Sequence, residues 1–265
     1  SSHIQSLEEC FNVMLFERGA KKHIELTADG RRVYRYAKEI LGRCNAFEAD
    51  MSDDADLEVN LGASTISSRC ILPAYIAGYL EEHPGRCFYL KNGDSEQIQQ
   101  MLLDNSIQIG FVGTSDHRRE LIYELIAEDP LIVVTPNTER FAQLKKKGVY
   151  GRELLTEPLV LREQGSGTQR LVDNYLSSIE MDAGKMHAAA RVSSPETAKE
   201  LVALGVGVAV TSSLIVKDDI EAGNLLGFAL SEQPLIRNIY MVRRKRGLLT
   251  EPAGEFFNYV HDRCH

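Results

Sequence analysis

A chain of 265 residues, 43% of them hydrophobic, can form more than one compact unit with a sizeable core. Its formal net charge of −8 argues against a coat for nonspecific nucleic-acid binding, and no run approaches the roughly 18 apolar residues of a membrane span. Five widely spaced cysteines without a CxxC pair argue against a disulfide framework or a zinc site and fit a reducing, cytoplasmic setting.

In chain order, Ile4, Leu7 and Phe11 recur at helical spacing and predict an amphipathic helix over Ser2–Val13. Ser2, His3, Gln5 and Ser6 fall off that stripe and are of a size to reach base edges or phosphates in a groove. The same pattern also fits an ordinary amphipathic helix with a solvated face. Met14–Arg18 and Lys22–Leu26 are short β-prone runs around Gly19–Lys22, a hairpin with a basic tip. Arg18, Lys21 and Lys22 suit phosphate contact there. Six basic residues (Arg18, Lys21, Lys22, Arg31, Arg32, Arg35) stand against two acidic ones (Glu25, Asp29) in this region, so the acidic excess belongs to the rest.

Thr27 is placed to cap the next helix, with Asp29 favourable against its dipole. That helix carries Val33, Ala37, Ile40, Leu41, Cys44 and Phe47 on one stripe, with little nearby core to cover it, and is a candidate for pairing with a second chain. Residues 48–56 hold five acids in nine positions and read as a solvated linker.

From Leu57 short apolar runs alternate with helical segments, the signature of an α/β domain. Strands are expected at Leu57–Gly62, Phe88–Leu90, Ile107–Val112, Leu131–Val134, Leu159–Leu161, Ala188–Val192, Gly205–Thr211 and Ile239–Arg243. Helices are expected through Leu72–Leu80, up to Leu103, up to Leu176, through Leu204, and over Glu251–Cys264 with Phe256, Phe257 and Val260 inward.

Strand-to-helix turns in the α/β region are rich in hydroxyls: Ser64 and Thr65 with Ser67 and Ser68, Ser166 with Thr168, and Ser193 with Ser194. Ser95 opens a further helix. Such turns lie at the carboxyl ends of strands, where open α/β sheets bind ligands, and free N–H groups at a helix start attract anions. A small anion, either a sulfate-like oxyanion or a small carboxylate, is the expected ligand. Serine and threonine are also preferred helix caps with nothing bound. Arg69 and Arg162 could add charge or could be structural ion pairs. Enzymatic readings find no support: Gly165–Thr168 is neither a Walker A loop nor a nucleophile elbow, and the seven histidines lack metal-ligand spacing. No cofactor is implied.

The run Ser2, Ile4, Leu7-Glu8, then Leu15-Phe16-Glu17-Arg18 and Leu26-Thr27-Ala28-Asp29-Gly30 resembles the end of the winged helix-turn-helix of LysR-type transcriptional regulators. The likeness continues through Gly62-Ala-Ser-Thr65, Leu72-Pro73, Arg162 with Gly165-Ser-Gly-Thr168, and Gly205-Val-Gly-Val-Ala209. Gln108 departs from it, since relatives usually carry an acid there. The resemblance implies two further helices ahead of Ser2, so the sequence as it stands is expected to hold the trailing portion of a DNA-binding domain.

The resemblance implies an α/β chain with a partial winged helix-turn-helix and a linker helix. Two Rossmann-like subdomains of the type 2 periplasmic-binding-protein fold would follow. The expected division places the DNA-binding segment at residues 1–26, the linker at 27–56 and the effector domain at 57–265. Within the effector domain, subdomain 1 is about 57–135 and 239–265, and subdomain 2 about 136–238. Crossing strands are expected near Val133–Pro136 and Asn238–Val242. The expected effector contacts are Ser64, Thr65, Ser67, Ser95, Arg162, Ser166, Thr168, Ser193 and Ser194. Promoter DNA, bound by the full-length protein, and a second or further copies of the chain are the expected partners. A solute-binding protein of a transport system, which uses the same two-lobed fold, is the alternative.

Overall fold

The computed structural model describes residues 2–18, 24–50, 57–163, 166–181, 186–247 and 249–264. Lys21, Lys22, the acidic run 51–56 and Gln164-Gly165 lie outside them. Helix α1 (Ser2–Phe11) leads to an antiparallel hairpin of β1 (Phe16–Arg18) and β2 (Ile24–Leu26), in which Phe16 faces Leu26. Helix α2 (Ala28–Asp50) follows. The Thr27 hydroxyl accepts from the Gly30 amide at 2.8 Å and donates to the Met14 carbonyl at 2.6 Å, so one side chain caps α2 and ties it to the wing.

Gly30 is constrained at the same junction. A Cβ at this position would stand 2.0 Å from the Leu15 carbonyl oxygen, which already accepts from the Thr27 amide. Backbone cannot yield as a flexible side chain can, so Gly30→Ala is expected to push α2 off the wing at a cost of about 1–3 kcal/mol. Faster hydrogen exchange at Thr27 and Gly30 would report it; unchanged exchange would show that the contact is not tight.

The body is built from β3 (Glu58–Ala63), α3 (Leu72–Glu82), β4 (Cys87–Asn92), α4 (Ser95–Leu103), β5 (Ile109–Val112), β6 (Leu121–Pro136), α5 (Glu139–Lys146), β7 (Leu159–Arg162), α6 (Gly167–Ser178), β8 (Ala188–Val192), α7 (Pro195–Ala203), β9 (Ala209–Ser212), α8 (Lys217–Glu221), β10 (Leu225–Ala229), β11 (Leu235–Arg244) and α9 (Glu251–Cys264). A π-helical turn at Ser67–Ile71 precedes α3 and a 3-10 turn at Gly151–Thr156 precedes β7. Strands β4, β3 and β5 are parallel neighbours in a first lobe. Strands β9 and β10 pair antiparallel with the end of β6, and β7 with β8 continue a second lobe.

Two long antiparallel strands join the lobes. β6 and β11 pair from Leu121↔Arg244 to Leu131↔Leu235, with a register shift at Ile239/Tyr240. The first crossing lies upstream of the expected Val133–Pro136: from Leu131 onward β6 already pairs with β9. Sequence pattern shows only the last portion of β6 because Glu124, Glu128, Asp129 and Pro130 interrupt the apolar run. Partner strands supply the missing support. Helices α5 and α8 and strand β10 are likewise absent from the elements expected on pattern.

The first-lobe core joins Val59, Leu61, Tyr79, Phe111, Met241 and Phe256. Phe256 packs edge-on against Tyr79 at 5.2 Å and Phe88 at 4.8 Å, so the last helix closes back on the first lobe. Val260 is buried with it, and Phe257 is half-buried beneath Arg243. Gln108 donates to the Thr250 hydroxyl at 3.0 Å, just ahead of α9. The second lobe gathers Val133, Leu155, Leu159, Leu176 and Phe228 on one side of its sheet and Val160, Val202, Ala209 and Val216 on the other. No helix of the described residues is long and apolar enough to cross a membrane.

Helix α2 is different. Tyr34, Ile40, Leu41 and Phe47 are all more than half exposed, and its attachment to the body includes a Lys38–Asp104 ion pair at 2.9 Å.

Candidate effector site

The carboxyl ends of β3, β4, β5 and β7 deliver their turns to one cleft between the lobes. It measures about 460 Å³ including its open mouth. The first lobe lines it with Ser64, Thr65, Asp94, Ser95 and Gly113; the second lobe adds Arg162, Glu163, Ser166 and Thr168. Arg237, from β11, completes the lining. A larger cavity of about 920 Å³ including its open side lies between α6 and its sheet. It shares Arg162 with the cleft and adds Gln169, Asp173 and Arg191 to leucine and valine walls, but its lining comes from the second lobe alone, so no ligand in it bridges the lobes.

Six of the nine expected contacts therefore meet: Ser64, Thr65, Ser95, Arg162, Ser166 and Thr168. The other three are outside the lining. Ser67 is buried and its hydroxyl is 3.2 Å from that of Ser64, which orients it. The carbonyl of Ser193 accepts from Arg162 Nη2 at 2.8 Å. Ser194 caps α7, accepting from the Thr197 amide, and donates to Glu196. Glu196 also pairs with Arg69 at 2.6 Å, so Arg69 is a structural cation. Burial pushes the Glu196 carboxyl up, but its hydrogen bonds and the charge of Arg69 outweigh that and hold it below its usual range.

Arg162 lines the cleft while forking onto Glu163, Nε to Oε2 at 2.9 Å and Nη2 to Oε1 at 3.0 Å. Its amide is held by the Gln169 side chain at 3.1 Å, which fixes β7 against α6. Ser166 stands at the N-cap of α6 with a hydroxyl that makes no cap bond. The first-turn amides of α6 have no intrahelical partner and carry the positive end of the helix dipole into the cleft.

Arg237 and Asp129 escape sequence reasoning. They face each other directly across β11 and β6, and their side chains form a buried ion pair, 6% and 0% exposed. Ser212 donates to the other Asp129 oxygen at 2.8 Å, and Arg237 Nη1 donates to the Thr168 hydroxyl at 3.0 Å. Arg237 Nε is buried with no acceptor among the described residues, as is the hydroxyl of Thr114 beside Gly167. A buried donor without a partner is uncommon and asks for one. The available signal was alternation: Arg237, Ile239 and Met241 are buried on every second position, so a charge occupies an inward site.

At the other end of the chain, Ser2, His3, Gln5 and Ser6 are all exposed on α1, and Ser6 donates to the Ser2 carbonyl at 3.1 Å. Arg18 lies in β1.

Two α/β lobes, two crossing strands and a polar cleft between them define a ligand-binding domain of the type 2 periplasmic-binding-protein kind, here preceded by a helix, a wing and a long helix. A profile of the LysR substrate-binding domain matches residues 52–265. The HTH-type transcriptional regulator YeiE of Escherichia coli K12 is 29% identical over 259 residues, covering 98% of this chain and 86% of YeiE. Full-length OxyR of Pseudomonas aeruginosa superposes with a TM-score of 0.70 at 17% identity, covering 98% of this chain and 83% of OxyR. The regulatory domain of CcmR from Synechocystis, solved in complex with 2-PG, gives 0.67 at 23% identity over 78% of this chain and 97% of that domain. The chain belongs to the LysR family of transcriptional regulators. It is a regulator, in a non-enzymatic family, and not the solute-binding protein of a transport system.

Proposed function

We propose that the cleft is the effector site and that its ligand carries an anionic group seated at the start of α6. Thr168, Ser166 and Arg237 hold that group; Ser64, Thr65 and Ser95 reach it from the first lobe; Arg162 sets the wall. The observation that carries this reading is the buried Arg237 Nε, a donor without an acceptor among the described residues, in a cleft lined by hydroxyls. A ligand touching both lobes favours one closure over others, and its effect on the DNA-binding heads is limited to its preference for that closure.

In this reading residues 1–26 contribute to DNA binding, residues 27–56 form a linker, and residues 57–265 form an effector domain whose lobes exchange within β6 and β11. Ser2, His3, Gln5 and Ser6 address a groove of promoter DNA, while Arg18, Lys21 and Lys22 hold phosphates. The regulator works in the cytoplasm as a homodimer or homotetramer joined through α2 and the effector domain.

Thr168→Ala removes a hydroxyl that also positions Arg237, and Thr65→Ala removes its counterpart on the first lobe. Each is expected to weaken effector binding about tenfold, the worth of roughly one charge-assisted hydrogen bond, without loss of folded protein. Titration calorimetry checks this. Unchanged affinity in both variants would remove the cleft from consideration.

A further inference from the structure

Both arginines of the cleft are already neutralised. Arg162 gives two hydrogen bonds to Glu163, and Arg237 is paired with Asp129. The neighbouring Arg69 is compensated by Glu196. One carboxylate in the lining has no cationic side chain beside it: Asp94, exposed at the start of α4, where the helix dipole offsets part of its charge. It caps α4 through Oδ1, which accepts from the Gln97 amide at 2.8 Å, and it has no cationic partner among the described residues. Counting the side chains of the lining together with Asp129, two cations face three anions.

A dianion such as sulfate would enter this balance against the dipole of α6, worth about half a charge, since that of α4 already faces Asp94. A ligand with one carboxylate and one ammonium leaves the balance unchanged and serves both ends. Its carboxylate accepts from Arg237 Nε and the amides and hydroxyls at the start of α6. Its ammonium meets the open side of Asp94. We infer that the effector is a zwitterion of the α-amino acid class, recognised through both charges. The inference rests on the reading of the cleft as the effector site and narrows the ligand from any small anion to one kind.

Titration calorimetry on the full chain with the proteinogenic L-amino acids, their 2-hydroxy counterparts where these exist, and sulfate tests it. At least one amino acid is expected to bind, with its 2-hydroxy counterpart at least tenfold weaker and sulfate weaker still. Asp94→Asn retains a good helix cap. It is expected to cost the amino acid at least tenfold while the hydroxy acid, a plain anion relieved of a like charge, binds as tightly as before or more tightly. Equal binding of the hydroxy acid, or tighter binding of sulfate, overturns the inference. So does the absence of any amino-acid binding. Those outcomes leave the cleft itself standing if the anion that does bind is weakened by Thr168→Ala; if no probe responds to Thr168→Ala, the reading of the cleft falls as well.

Discussion

Arg237→Met is expected to destabilise the protein by about 3–5 kcal/mol, because it leaves the Asp129 carboxylate buried without its counter-charge. Asp129 has no exposed surface, and its remaining side-chain partner is the Ser212 hydroxyl. Adding Asp129→Asn to the same chain removes the stranded charge, so the double variant is expected to recover most of the loss. Its stability would approach that of the parent while effector binding stays impaired, since the Arg237 donors are gone. Urea unfolding of the two single variants and the double variant measures the coupling. A loss below about 1 kcal/mol for Arg237→Met, with no recovery in the double variant, would mean that water reaches the pair and that it is no buried ion pair.

The second large effect concerns α2. Ile40 and Leu41 are each 61% exposed, and Phe47 and Tyr34 extend the same apolar character along the helix. Side chains of this kind each gain roughly 1.5–3 kcal/mol on burial, and in a two-fold symmetric pair every one counts twice. For the homodimer proposed above, joined through α2, replacing Ile40 and Leu41 with aspartate is therefore expected to raise the dissociation constant at least a thousandfold, about 4 kcal/mol. Sedimentation would show the mass halved at micromolar protein. Far-ultraviolet circular dichroism should stay the same, because neither side chain supports the fold of a single chain. An unchanged mass would move the association elsewhere.

Much of the local structure is legible in the sequence because it has local causes. Thr27 has the side chain and position of a cap, and its hydroxyl does accept from the Gly30 amide. Leu159–Leu161, Ala188–Val192 and the helix ending in Phe256 and Val260 follow from apolar runs of the right period. The unexpected elements are mostly those whose support comes from elsewhere. β10 pairs residue by residue with the end of β6, and α8, only five residues long, places Ile220 over that pair; Leu225–Ala229 is itself a short apolar run, legible as a strand though not among those expected. The part of β6 before Leu131 carries two glutamates, an aspartate and a proline, and forms a strand because β11 lies along it.

The site divides in the same manner. Ser64, Thr65, Ser95, Ser166 and Thr168 can be chosen from the sequence, since a hydroxyl at a helix start is written in consecutive residues. Ser193 and Ser194 satisfy the same rule but lie outside the cleft lining: the Ser193 carbonyl holds Arg162 and the Ser194 hydroxyl caps α7. Arg237 and Asp129 stand 108 positions apart, and their meeting depends on the register of two strands.

By itself the sequence determined the class of the fold, the cap and wing at its beginning, the family and the chemistry of the turns. These depend on periodicity and on residues within a few positions of each other. The tertiary structure alone decided which turns share a cleft, that both arginines there are already paired, and that Asp94 is left without a counter-charge among the described residues. Charge balance is a property of groups gathered in space, and no order along the chain reveals it.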